Sequence, residues 1–210
     1  MEQRTDKGKI LVKAIKSDKV KDLGAEYLEL GLDTLLHDET LKCLPVVKSV
    51  IGICNFFRTV KDQILAKKII RFINELSQID VQERERMLDK LDEDDKFAGE
   101  VGEVIIEYLD KIDGEKKPEL AAKFFMAFTR GFISYGDFRH CLLALERVPS
   151  FDIDKLVNFL ERNSYSDNYE ESVLLGFVNA GLGVNNGAMD GGVIVPTKLC
   201  QIFVNNCLRS

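Results

Sequence analysis

Apolar residues recur three and four positions apart along most of this chain, and the alternation of apolar and polar positions that marks a half-buried strand is almost absent. The spacing predicts helices over 6–15, 18–37, 46–57, 59–77, 81–91, 96–112, 118–131, 135–147, 151–162 and 168–181. The stretch from Leu44 to Leu76 stands apart from the rest. Val46, Val47, Val50, Ile51, Ile53, Phe56 and Phe57 in its first part, and Ile64, Leu65, Ile69, Ile70, Phe72 and Ile73 in its second, spread round most of a helical wheel. Helices of that kind sit inside a protein or against lipid. The expected fold is therefore all-α, a multi-helix bundle around a buried apolar helix pair.

Punctuation supports these boundaries. Ser134 is placed to cap the helix that follows, with Asp137 three residues on reaching back and Ile133 and Phe138 bracketing the turn as a hydrophobic staple. Asp80 with Glu83, and Asp167 with Glu170, repeat the spacing more weakly. Pro118 suits a first helical turn, while Pro45 and Pro149 mark breaks. Residues 182–192 are rich in glycine and asparagine and cannot hold a helix; Val193, Ile194 and Val195 then suit a short strand, and Pro196 with Thr197 opens a last amphipathic helix. A helix, a Gly-rich turn, a short strand or hairpin and a final helix look like the closing part of a winged-helix unit. No long linker interrupts the earlier residues, so the expected organisation is a helical bundle over 1–165 and a small C-terminal unit over 166–210.

Charge and cysteine content narrow the setting. The net charge of -6 is uneven: residues 1–75 hold 14 bases and 11 acids, whereas residues 80–115 hold 5 bases and 14 acids. An acidic centre disfavours wrapping nucleic acid, which needs a cationic face. The basic N-terminal segment is expected to lie against the acidic helices of its own fold. Five cysteines, Cys43, Cys54, Cys141, Cys200 and Cys207, are odd in number and mostly lie in apolar surroundings, which fits packed, reduced thiols in a cytoplasmic protein. The first nine residues are too polar for a secretory signal, and the longest uncharged apolar stretch, Ser49 to Phe57, falls far short of the roughly 20 residues that cross a bilayer.

Candidate chemistry is sparse. His37 and His140 are the only histidines; His140 and Cys141 are adjacent, so on a helix they diverge by about 100° and do not form a nucleophile with its base. An enzymatic reading would fall on His140 with Asp137. No clustered Cys and His spacing offers a zinc site, and Cys200 and Cys207, two turns apart, have the spacing of core positions. Asp92, Asp94 and Glu103 fall on positions 1, 3 and 12 of a calcium loop, but Phe97 stands where that loop needs glycine and Lys96 where it needs an oxygen. The Gly-rich loop lacks the lysine and Ser/Thr of a phosphate loop, and Glu103 with Glu107 is a carboxylate pair of the kind common on solvated helices. No catalytic, cofactor-binding or metal-binding residue is assigned. Arg58, Lys61, Lys67, Lys68 and Arg71 interrupt an apolar helix and suit either an anionic membrane surface or snorkelling at the edge of a core, the second being the simpler reading. Phe124, Phe125, Phe128, Phe132 and Phe138 read as core.

Between Leu44 and Val148 the order of LPVVKSVIGICNFF, RTVKDQILAKKIIRFI, LDEDDKFAGEVGEVIIEYLDKID and GFISYGDF resembles an uncharacterised family of small cytoplasmic bacterial all-helical proteins. The resemblance covers about half the chain and implies a helical, cytoplasmic, bacterial or phage-borne protein, with no activity or site residue to transfer. The leading expectation is a non-catalytic protein that binds another macromolecule, most simply a protein, in regulation, defence or anti-defence. The alternative is peripheral membrane action by the apolar 44–76 helix pair.

Overall fold

The computed structural model describes residues 2–17, 45–54, 59–92, 95–161, 169–187 and 192–209. The helix expected over 18–37 lies outside the described residues, as do His37, Cys43, Phe56, Phe57, Arg58, Asp94 and Asp167, and the domain boundary expected after residue 165. The fold is all-α with one small hairpin, and its contacts divide it into two compact units, Met1–Lys111 and Ile112–Ser210.

The first unit contains α1 (Glu2–Lys16), α2 (Pro45–Ile53), α3 (Val60–Ser77), α4 (Val81–Asp92) and α5 (Asp95–Lys111). Each buries an apolar face at helical spacing: Leu11, Val12 and Ile15 on α1, Val46, Val47, Val50 and Ile53 on α2, Ile69, Ile70, Phe72, Ile73 and Leu76 on α3, Met87, Leu88 and Leu91 on α4, and Val101, Ile105 and Leu109 on α5. Most of the apolar residues described between Leu44 and Leu76 are thus covered by other helices, with Val60 and Ile64 the exceptions on the exposed face of α3. A capping box starts α3: Thr59 Oγ1 accepts from the Asp62 amide, and Asp62 returns a carboxylate oxygen to the Thr59 amide. The T-x-x-D spacing of this box was available in the sequence and was missed.

The longest helix-helix contact in this unit is that of α1 along α5. It is made by glycines. A Cβ added to Gly8 would fall 2.7 Å from the Glu103 amide nitrogen and closer still to the Gly99 carbonyl, and one added to Gly102 would meet the Gly8 backbone. Two residues without side chains, Gly8 and Gly102, therefore let two backbones approach as no larger residue would allow. Charge follows the expected direction, since Lys16 Nζ on α1 lies 3.0 Å from Asp89 Oδ1 on acidic α4.

The second unit contains α6 (Lys117–Thr129), α7 (Tyr135–Arg147), a 3-10 turn (Ser150–Asp152), α8 (Lys155–Glu161), α9 (Glu171–Asn179), β1 (Gly183–Asn185), β2 (Ile194–Pro196) and α10 (Lys198–Phe203), which widens into a π-helical turn over Val204–Leu208. Rings fill its interior: Phe124 meets Phe203 edge-on at 4.8 Å, Phe138 stacks on Phe128 at 5.4 Å, and Phe159 lies 5.0 Å from Phe177. Buried Lys117 ties the start of α6 to the end of α7, donating to Asp113 Oδ1 at 2.5 Å and to the Glu146 carbonyl at 3.3 Å.

Local boundaries differ from the sequence pattern at several places, beginning with α1, which starts at Glu2 and not at residue 6. The expected 151–162 helix is a 3-10 turn followed by α8, and α9 begins at Glu171, where Glu170 supplies no side-chain cap. Both α6 and α9 close earlier than expected, each through a left-handed glycine: Gly131 (φ 79°) follows α6 and Gly181 (φ 74°) follows α9. In each, the glycine amide and the next amide reach back to the last turn, with Gly131 N to Phe128 O at 2.9 Å and Phe132 N to Ala127 O at 2.8 Å. A further difference is β1. Gly183 and Asn185, either side of Val184, carry little strand propensity, yet the three residues pair antiparallel with Pro196, Val195 and Ile194 inside what reads as loop.

Candidate functional site

The residues singled out from the sequence do not converge. His140 is exposed on α7 while neighbouring Cys141 is buried, and Asp137 is engaged in the capping box, its Oδ2 accepting from the Ser134 amide at 3.2 Å and hydroxyl at 2.7 Å. Those two bonds, the hydroxyl's foremost, hold the Asp137 carboxyl below its ordinary value. Burial pushes the Cys141 and Cys200 thiols up to about 12, and burial, followed by the nearby Asp62 carboxylate, does the same for Cys54. Such thiols hold almost no thiolate near neutral pH, and thiolate is the reactive form. The calcium-loop register fails on backbone grounds as well, because positions from Asp95 onward are helical in α5. Among the described residues, no three His, Cys, Asp or Glu side chains are grouped to hold a metal ion, and no helix is long and apolar enough to cross a membrane.

Among the described residues, each unit carries a concave surface. In the first unit, a cleft of about 420 Å³ lies among α1, α2, α3 and α5, floored by Ile53, Cys54, Leu65 and Ile106 and edged by Lys7, Lys61, Asp62, Glu103, Glu107 and Asp110. Much of this charge is already used within the fold. Lys61 Nζ sits 2.9 Å from Asp110 Oδ2, Lys7 Nζ donates to the Ile53 carbonyl at 2.8 Å, and Asp62 closes the α3 capping box. The Asp110 hydrogen bond raises the Lys61 pKa, although at 75% exposure the pair adds little to stability. These groups fasten helix ends around the glycine crossing. The remaining basic residues of α3 also match the core-edge reading, with Lys67 exposed and Lys68 and Arg71 half-buried beside Ile69, Ile70 and Phe72.

The second unit carries a smaller groove, about 140 Å³, between the end of α6 and the π-helical turn. Lys123, Met126, Ala127 and Arg130 form one side, Asn205 and Asn206 the other, and Phe132 stands at the end. Its walls are tied together: Lys123 Nζ donates to the Cys207 carbonyl at 3.4 Å, and Cys207 Sγ donates to the Leu120 carbonyl at 3.6 Å. A π turn admits one more residue than an α turn, here seen in the bond from Arg209 N to Val204 O at 3.1 Å, and it presents Asn205 to solvent and Asn206 beside it. The turn at Gly131 fixes the Phe132 backbone while leaving the ring 70% exposed. Of the five phenylalanines read as core, Phe132 alone projects outward in this way. Its position was legible only from the left-handed glycine before it, which ends the helix and takes the ring off the buried face.

The chain matches no protein-family model, no curated protein and no solved structure, so the resemblance stated for Leu44 to Val148 gains nothing from comparison with known proteins.

Proposed function

We propose that the protein acts by binding another protein, with the α6 end of its second unit as the contact surface. The observation that supports this reading is Phe132, an aromatic ring 70% exposed on a hydrogen-bonded turn beside a polar groove. Isolated apolar residues on a surface are ordinary. A large ring held on a fixed backbone next to a concave polar surface is a different matter, because aromatic anchors are enriched at interface centres and a fixed backbone leaves only the ring's own torsions to be ordered on binding.

The test is site-specific crosslinking. A photoreactive phenylalanine analogue in place of Phe132, in the full chain expressed in its source cells, is expected to give a discrete adduct with one protein. The same analogue in place of exposed Phe151, on the 3-10 turn, is the control for non-specific capture. Adducts indistinguishable between the two positions, or none at position 132, would overturn the reading.

A further inference from the structure

We infer that the cleft among α1, α2, α3 and α5 binds a small organic cation with an apolar body, its ammonium or guanidinium group held at Glu103 Oε1. The inference concerns the first unit alone and stands apart from the protein-binding reading of the second. Most charged groups at this cleft are already engaged inside the fold: Lys7 Nζ donates to the Ile53 carbonyl, Lys61 pairs with Asp110, and Asp62 caps α3. Glu103 is different. It lines the cleft, and its Oε1 is buried with no hydrogen-bond partner among the described residues. The residue follows Gly102 at the glycine crossing, where α1 comes so close that a Cβ on Gly8 would stand 2.7 Å from the Glu103 amide nitrogen. Glu103 is half-buried there while Glu107, one turn on, is exposed, so the two carboxylates that read as one solvated pair are not equivalent.

The chemistry of that oxygen selects the ligand. A carboxylate oxygen taken from water costs free energy until a donor reaches it, and an ionised carboxylate only accepts, so the ligand has to donate. A cationic donor is favoured over a neutral one on two grounds. Charge-assisted bonds are the stronger kind, and the edge of the cleft holds four acids, Asp62, Glu103, Glu107 and Asp110, against two bases, Lys7 and Lys61. A metal ion does not meet the need, because among the described residues no three His, Cys, Asp or Glu side chains are grouped to ligate one. Size and surface point the same way. Sites that enclose small molecules run to about 300–1,000 Å³, and this cleft measures about 420 Å³. Its floor of Ile53, Cys54, Leu65 and Ile106 offers apolar contact that a bare ion could not use. Burial pushes the Cys54 thiol up to about 12, so the floor carries no charge of its own near neutral pH.

Saturation-transfer NMR on the full chain at neutral pH tests the inference with three probes that share one apolar body: phenylbutylamine, phenylbutanol and phenylbutyrate. The amine is expected to bind at least about tenfold more tightly than the neutral alcohol, the lower end of what a hydrogen bond to a charged group gives, and the anion more weakly than either. Glu103→Gln keeps the shape of the side chain and removes its charge. It is expected to erase the advantage of the amine over the alcohol with the thermal melt of the free chain no lower, since nothing in the described fold bonds to Oε1. Leu65→Trp, which fills the floor of the cleft, is expected to weaken amine and alcohol together. Equal binding of amine and alcohol, no binding of either, or tighter binding of phenylbutyrate overturns the inference. An amine preference that survives both substitutions overturns it too, by placing the amine elsewhere, and so does calcium that displaces the amine at equal concentration, by marking a metal site. A lower melt for Glu103→Gln would show that its carboxylate already serves the fold, and removes the inference as well.

Discussion

Around Gly8 two helices of the first unit meet backbone to backbone, whereas around Phe124 the helices of the second unit meet through rings. The two arrangements respond to opposite insults. At the glycine crossing, the carbonyl of Gly99 and the amide of Glu103 stand where a side chain would begin, so the contact fails when an atom is added. In the aromatic interior, Phe124 and Phe203 are wholly buried against each other, so the contact fails when atoms are removed. The first unit is closed by absence of volume and the second by its presence. Only the second arrangement is announced by hydrophobic periodicity.

The largest expected effect lies in the rings. Phe124→Ala should lower unfolding free energy by about 4 kcal/mol, combining lost burial with an unfilled cavity. Urea titration of the full chain measures it, and a loss below about 1 kcal/mol would mean that the site collapses and that the ring is not a support of this unit. The glycine crossing comes next. Gly8→Ala should cost about 2 kcal/mol net, an overpacking penalty near the top of the usual range offset by about 1 kcal/mol of gained helix propensity. Gly52 on α2 provides the internal control, because a Cβ there meets nothing within 4 Å. The same chemical change, Gly52→Ala, should stabilise by about 0.5–1 kcal/mol. Substitutions of equal sign at the two positions would break the account of the crossing.

What the sequence disclosed follows the same division. The apolar stripes of α3, α5, α6 and α7 repeat at helical spacing, and burial of Ile69, Ile73, Val101, Ile105, Phe125 and Phe138 follows that spacing directly. Ser134 with Asp137 was readable because a capping box is a local motif, complete within four residues. Gly8 and Gly102 were not readable as a contact, since a glycine inside a helical pattern lowers helix propensity wherever it stands and only the partner backbone gives it a purpose. The strand at Gly183–Asn185 was hidden for a related reason: its partner begins nine residues further on, and two of its three residues, Gly183 and Asn185, favour turns. The groove was beyond reach altogether, because its two sides come from residues about eighty positions apart and its depth depends on a π turn that no local pattern marks.

A smaller effect than that at Gly8 concerns the cap of α7, an exposed motif set by hydrogen bonds and charge and not by volume. Ser134→Ala removes the hydroxyl that accepts from the Asp137 amide and donates to its carboxylate, and should cost about 1 kcal/mol near pH 7. The Asp137 carboxyl titrates below its ordinary value of 3.8 in the folded chain because the Ser134 hydroxyl and amide favour its ionised form. A group with a depressed folded pKa contributes stability that is present above its unfolded pKa and is lost as pH falls through the folded one. The gap between the native chain and Ser134→Ala should therefore hold from neutral pH down to the ordinary carboxylate value and narrow below it. It should not vanish, because the Asp137 amide keeps its bond to the hydroxyl after the carboxylate is protonated. Urea titrations at neutral pH and on either side of the carboxylate range read this directly. A gap that stays constant to the lowest pH would show that the cap owes nothing to the charge of Asp137, and the neutral bond from the Asp137 amide to the Ser134 hydroxyl would then account for all of it.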